Sequence, residues 1–370
     1  MILTILGGSA PSTPWLVEYL AQHFPQQRHT IRLAGRTPEH VIAVERACRL
    51  LARDTTLRIE SFHHDEWGRA LDGADAVLVQ IREGGLEARL YDETFPKRYG
   101  IPGDEGLGPG GLSAAIRSWP VLRRILSLVN ERAPLSLKLL LTSPAGLLVR
   151  AAAHEFPGMD LCAICELPFT TLQSITSYPV TFGYTGVNHL GWLHNIIRGG
   201  EPVVEDPVPL KYWRLHFDRE NALREAPRAP MLMRIRDQAY RAFNSGDVAE
   251  IRAALALRPA PWYTHAVGPL LADVTTQPYF LTRTDLEGEH PYSWTGGTFE
   301  PLASPAAPHF ARRLVDIFLE YEREALPAVL HPSSKTVQQA LNSHPWSQRQ
   351  TAGFQTAAGL QHVVEQSCLR

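Results

Sequence analysis

The chain opens on an apolar run, Met1 to Leu6, rich in Ile and Leu and closed by Gly7-Gly8. Apolar positions then recur at helical spacing from about Thr13 to His23, with Trp15, Leu16, Tyr19 and Leu20 sharing one face. Pro14 suits the first turn of that helix, where a missing N–H costs nothing. A second strand is predicted from His29 to Ala34, a helix from Pro38 to Arg53, and a strand from Leu57 to Ser61. The runs DAVLVQ (Asp75 to Gln80) and LKLLLT (Leu137 to Thr142) are continuously apolar, as parallel strands buried on both faces should be. This alternation predicts βαβ units in a doubly wound parallel sheet, a Rossmann-like domain over residues 1–165. Residues 166–370 read as a second, α+β domain. It should hold a strand near Val180 to Gly183, a helix from Met231 to Leu257, a long helix from His309 to Leu326, and a peripheral helix after Ser347.

Composition narrows the function. A length of 370 residues suits two domains, and 44% hydrophobic residues suffice for sizeable cores. Lys+Arg 36 against Asp+Glu 38 leaves a net charge of −2, without the basic stripe of a nucleic-acid binder. No apolar run approaches the roughly 18 residues of a transmembrane helix, and the N-terminus has no basic region of a signal peptide. Four cysteines, at 48, 162, 165 and 368, make no disulfide framework for a chain of this size. The expectation is a cytoplasmic enzyme of small molecules, without a membrane or nucleic-acid partner.

A glycine turn between a first strand and a helix lets backbone N–H groups meet a pyrophosphate. Here the turn reads GGSAPS, Gly7 to Ser12, which is also compatible with an ordinary βα turn. The second strand ends Leu33-Ala34-Gly35-Arg36-Thr37, without the acid that grips a ribose 2′-hydroxyl. Arg36 can meet a 2′-phosphate, stack on adenine, or simply be solvated, so NADP has equal standing with NAD.

Several segments share an order and spacing with one enzyme family. Gly7 to Val17 (GGSAPSTPWLV) resembles G-G-G-S-x-x-T-P-x-L-V. Gln80 to Arg89 (QIREGGLEAR) with Asp92-Glu93 resembles Q-x-R-x-G-G-L-x-x-R-x-x-D-E. Tyr99 to Glu105 (YGIPGDE) and Gly108 to Gly111 (GPGG) follow a Y-G-x-x-G-Q-E-T-T-G-P-G-G loop. TSPAG (Thr142 to Gly146), CELP (Cys165 to Pro168) and GVNHLGW (Gly186 to Trp192) stand for T-N-P-x-G, C-N-x-P and G-x-N-H-L-G-W. These motifs resemble the NAD- and manganese-dependent glycosidases of glycoside hydrolase family 4, nearest the 6-phospho-β-glucosidases. The stretch from about 195 to 300 matches poorly.

The resemblance implies a fold of the lactate/malate dehydrogenase-like superfamily, association into homo-oligomers, and hydrolysis of a sugar or sugar-phosphate glycoside. In that family hydrolysis proceeds by transient oxidation at C3, elimination and re-reduction, outside the two-carboxylate scheme. By residue, it assigns Gly7, Gly8, Ser9, Thr13, Arg36, Gln80, Ile81, Arg82 and Ser143 to the dinucleotide. Cys165 and His189 become ligands of Mn²⁺ or another divalent metal, with Cys162 a nearby competitor. By ligand softness alone this pair would suggest zinc. Arg89 is matched to the substrate phosphate, Asn188 to sugar hydroxyls, and Glu105 to the edge of the metal and substrate site. Four departures stand out. Ser9 replaces the third glycine, Ser143 replaces the asparagine of T-N-P, and Glu166 follows the cysteine, where a carboxylate can act as general acid. The fourth is the base: Pro230 to Ile235 (PMLMRI) lacks the family's tyrosine pair, leaving Tyr240 and Tyr263 as candidates. The alternatives are an NAD(P)-dependent sugar or hydroxy-acid dehydrogenase, and a non-catalytic relative that binds sugar and nucleotide.

Overall fold

The N-terminal apolar run forms β1 (Ile2–Leu6), whose last four residues are buried. The computed structural model describes residues 1–106, 108–159, 161–163, 171–172, 174–176, 181–187, 190–205, 208–209, 219–258, 282–283, 292–295 and 298–301. Around β1 stand β2 (Thr30–Ala34), β3 (Arg58–Phe62), β4 (Ala76–Val79), β5 (Leu137–Leu140) and β6 (Leu161–Ala163). They lie in the order β3–β2–β1–β4–β5–β6, every pairing parallel. Further along the chain, β7 (Thr181–Val187) pairs antiparallel with β8 (Leu190–Arg198). The two-residue strands β9 (Glu201–Pro202) and β10 (Val208–Pro209) also pair with β8. The antiparallel strand β11 (Thr282–Arg283) extends the large sheet beyond β6, and β12 (Tyr292–Thr295) pairs with β13 (Thr298–Pro301). The parallel doubly wound sheet expected from the alternating runs is therefore present, and its order reverses at β1.

The helices are α1 (Thr13–His23), α2 (Pro38–Leu51), α3 (Trp67–Leu71), α4 (Gly85–Thr94), α5 (Gly108–Arg132), α6 (Ala145–Glu155), α7 (Arg219–Arg224), α8 (Ala229–Ser245) and α9 (Val248–Ala256). Successive strand residues point to opposite faces. Leu3, Ile5, Ile31, Leu33 and Leu78 thus cluster with Leu16 and Val17 of α1 and Val44 of α2. Leu6, Val77, Val79 and Leu140 cluster instead with Leu71 of α3, Leu122 of α5 and Leu148 of α6. The hydrophobic pattern marks no helix between Gln80 and Leu137, yet α4 and α5 stand there. Their signals are masked by the glycines at their starts and by Pro120 within the 25 residues of α5.

The single helix expected from Met231 to Leu257 is two. α8 stops at Gly246, whose φ of 79° is left-handed, and α9 restarts with Asp247 as its N-cap, accepting from the Ala249 amide at 2.7 Å. Both helices return to the first layer: Phe243, Ile251 and Leu255 share a core with Leu16, Val17 and Cys48. The Trp15 indole N–H donates to the Leu255 carbonyl at 2.9 Å, and Arg252 pairs with Glu18 at 2.7 Å. Residues 229–256, assigned by sequence to the second domain, thus pack into the core formed by the sheet, α1 and α2. The helices expected at His309 to Leu326 and after Ser347 lie outside the described residues.

Phe243 is fully buried in this shared core. Phe243→Ala should cost about 3–5 kcal/mol. Because α8 completes the sheet's own layer, that loss should appear in urea denaturation as one earlier transition followed by every probe. Separate melting of α8 with an unchanged sheet would contradict the shared core.

Candidate functional site

The turn after β1 lies where the strand order reverses, the position at which doubly wound sheets take ligands. Gly7 adopts φ +88°, and a Cβ there would sit 2.6 Å from the Gln80 carbonyl oxygen, so this position requires glycine. The Gly7 and Gly8 amides donate to the Ala34 carbonyl at 2.8 and 2.9 Å, tying the turn to the end of β2. Behind the turn, the Gln80 side-chain amide donates to the Gly7 carbonyl at 3.2 Å and to the Thr13 hydroxyl at 2.8 Å. Thr13 is fully buried. Gln80 and Thr13, both expected at the dinucleotide, therefore shape the turn from within the protein. A strand, a tight glycine turn and an 11-residue helix in succession fit a pyrophosphate.

Beside the turn, the ends of β4 and β5 carry a chain of ion pairs. Arg89 of α4 is buried; its Nε donates to Glu93 at 2.7 Å and its Nη1 meets Glu105 at 2.5 Å. Glu105 also pairs with Arg82, which follows β4. The second oxygen of Glu93 accepts from the Ala229 amide at 2.8 Å, at the start of α8. Arg117 of α5 donates from Nη1 and Nη2 to the two oxygens of buried Asp92, at 3.2 and 2.5 Å. Burial alone would raise the Glu105 carboxyl. The charges of Arg82 and Arg89, the Arg82 hydrogen bond and the more distant charge of Arg258 outweigh it and hold the group below its ordinary value. Glu105 is thus a fixed anion at neutral pH, unsuited to donate a proton.

Ser143 and Ile81 close this face. The Ser143 hydroxyl donates to the Glu105 carbonyl at 3.4 Å, and the Thr142 hydroxyl donates to the Ile81 carbonyl at 3.2 Å. Gly7, Gly8, Ser9, Arg36, Ile81, Arg82, Arg89, Glu105 and Ser143 are therefore gathered along the C-terminal edge of the sheet. Arg36 reaches it by pairing with Glu83 at 3.4 Å.

Tyr240, a candidate base, has another place in the structure. Its hydroxyl donates to the Ser9 carbonyl at 2.7 Å, and its ring stacks on His40 at 4.1 Å and 9°. Burial pushes its phenol well above the ordinary tyrosine value, which disfavours the phenolate. Cys165, Glu166, Asn188, His189 and Tyr263 lie outside the described residues, and among the described residues no three metal-binding side chains converge. No described helix is long and apolar enough to cross a membrane. Sequence reasoning passed over Glu93 and Glu83. The Arg89–Glu93 spacing of four residues on one helix was a readable signal for the first.

The depressed Glu105 carboxyl has a pH consequence. Its folded value lies below its unfolded one, so its contribution to stability is complete above about 4.5 and is lost as pH falls through the folded value. Glu105→Gln should cost about 3 kcal/mol near neutrality and flatten the acid limb of stability against pH, read by urea denaturation at a series of pH values. An acid limb as steep as that of the wild type would exclude Glu105 as its source.

Residues 1–178 match the model of the family described as Family 4 glycosyl hydrolase. The 6-phospho-β-glucosidase of Thermotoga maritima is 24% identical, over 93% of this chain and 94% of its own. A 6-phospho-α-glucosidase of Lacticaseibacillus paracasei is 27% identical over 51% of this chain and 44% of its own. Among solved structures, the Thermotoga maritima enzyme with manganese, NAD⁺ and glucose-6-phosphate superposes with a TM-score of 0.69 at 22% identity, covering 99% of this chain and 98% of that one. A 6-phospho-α-glucosidase from gut microorganisms with NAD and glucose-6-phosphate gives 0.70 at 16% identity, covering 99% and 97%. The motifs, the sheet order with its glycine turn and the match over residues 1–178 agree in one likeness: the chain is similar to the family 4 glycosyl hydrolases.

Proposed function

We propose that the protein is a dinucleotide- and divalent-metal-dependent glycosidase acting on a 6-phosphoglycoside or another anionic glycoside. One observation carries the reading: the glycine turn of β1 and the Arg82–Glu105–Arg89 cluster share one edge of one sheet. A nucleotide seated on the turn and an anionic sugar near the cluster would then be neighbours. The relatives and solved structures named above are phospho-glucosidases, which supports the substrate class.

When bound, a nicotinamide supplies reversible oxidation of a sugar carbinol and a divalent metal supplies polarisation of sugar oxygens. This chain's own groups do the rest. Gly7 and Gly8 admit the pyrophosphate, while Gln80 and Thr13 keep the turn in shape. Cys165 and His189 are the proposed metal ligands, Asn188 orients sugar hydroxyls, and Glu166 protonates the leaving oxygen. Arg82 is the cluster member with solvent-facing surface, 39% against 10% for Arg89. It is therefore Arg82 that meets the substrate's anionic group, while Arg89 holds Glu105 in place. Since Tyr240 is committed to Ser9, Tyr263 is the remaining candidate to take the C2 proton.

The test is a panel of α- and β-nitrophenyl glycosides, with and without a 6-phosphate, in the presence of NAD⁺ or NADP⁺, Mn²⁺ and a thiol reductant. Nitrophenol should appear without accumulation of reduced nicotinamide, and chelation, Cys165→Ser or His189→Ala should abolish it. Accumulating NAD(P)H would instead mark a dehydrogenase. Tyr240→Phe should keep turnover within about tenfold, whereas Tyr263→Phe should lose roughly 10²-fold or more. The reverse ranking would return the base to Tyr240.

A further inference from the structure

How a dinucleotide's adenosine ribose is held depends on the residues that end the second strand. An acid there accepts from the 2′-hydroxyl, and an arginine nearby accommodates a 2′-phosphate. In this chain β2 is followed by Gly35, Arg36 and Thr37. Gly35 is enclosed. Its amide donates to the Phe62 carbonyl at 3.2 Å, and a Cβ would collide with the Val41 side chain and stand 3.1 Å from the Cβ and Oγ of Ser9. Val41 is fully buried in α2. Ser9 is itself held, through its carbonyl, by the Tyr240 hydroxyl at 2.7 Å. A side chain at residue 35 would therefore meet Val41 first and Ser9 second, and the strand end carries no acid from Ala34 to Thr37.

Arg36 is left to face the ribose. It is 64% exposed, and its ion-pair partner among the described residues is Glu83 at 3.4 Å. Arg36 follows β2 and Glu83 stands beyond β4, strands that flank β1, so the pair reaches across the switch point. A long, solvent-screened pair contributes little and is readily exchanged, whereas a phosphate offers the guanidinium two parallel, charge-assisted hydrogen bonds. Thr37 is next in line, and its hydroxyl does not cap α2.

We infer that this chain selects the 2′-phosphorylated dinucleotide, NADP(H) over NAD(H), and that Arg36 is the residue that decides it. The inference rests on the nucleotide-binding reading given above. Glu83 positions the guanidinium at the crevice and releases it to the phosphate. With Gly35 enclosed and no acid between Ala34 and Thr37, the acid-based grip on a 2′-hydroxyl is lacking.

Calorimetric titration of the full-length chain with NADP⁺ and with NAD⁺, in the absence of any glycoside, tests this directly. The wild type should bind NADP⁺ roughly 10–100-fold more tightly than NAD⁺. Arg36→Ala, a surface change whose folding circular dichroism verifies, should abolish that difference while leaving NAD⁺ affinity within about threefold. Glu83→Gln should tighten NADP⁺ alone. NAD⁺ bound as tightly as NADP⁺ or more so would overturn the inference and leave the nucleotide reading intact. Equal weakening of both nucleotides by Arg36→Ala would show the arginine stacking on adenine, and would also overturn it. Binding of neither nucleotide would overturn both readings together.

Discussion

Arg89 lies inside the protein with its guanidinium between Glu93 and Glu105, and the face at the strand ends is organised around that buried charge. A cation removed from water must be met by carboxylates, and these must in turn be held by further donors. Glu93 comes from the same helix, Glu105 from a loop, Arg82 from the end of β4, and the Ala229 amide from the start of α8. Meeting one charge thus fixes where α4, the 105 loop and α8 stand relative to one another. The same network keeps Glu105 ionised and gives that face its rigidity.

The glycine turn is held in a different way. Its side chains are small, and its shape comes from contacts at its back and flank. Gln80 and Thr13 brace it from the sheet side, and Tyr240 fastens the Ser9 carbonyl from α8. Helix α8 therefore serves both halves of the site, supplying an amide to the ion cluster and a phenol to the turn. That placement explains why residues far along the chain pack into the core of α1 and α2. It also separates Tyr240 from proton transfer: a buried phenol already donating to a main-chain carbonyl is a poor base.

The two sides of the crevice divide the work by chemistry. Backbone groups and a glycine turn suit a pyrophosphate, which needs donors and close approach more than side chains. A half-exposed arginine beside a buried one suits a second, smaller anion. The proposed reaction needs both ligands on the same edge, and the switch point of a doubly wound sheet provides that edge.

The strands β1, β4 and β5 could be read from the sequence because a mostly apolar run buried on both faces announces itself within four to six residues. The family resemblance was equally readable, since GVNHLGW and QIREGGLEAR are contiguous motifs. Helices α4 and α5 were not, because Gly84, Gly85 and Pro120 interrupt the local periodicity while tertiary packing stabilises the helices anyway. The sequence alone determined the alternating βα order, the missing acid after β2 and the candidate chemistry. Only the tertiary structure decided that Arg89 is buried, that Tyr240 meets Ser9, and that Ser9 crowds Gly35. Each of these joins positions far apart in the chain, and local sequence patterns carry no record of which distant side chain fills a given space.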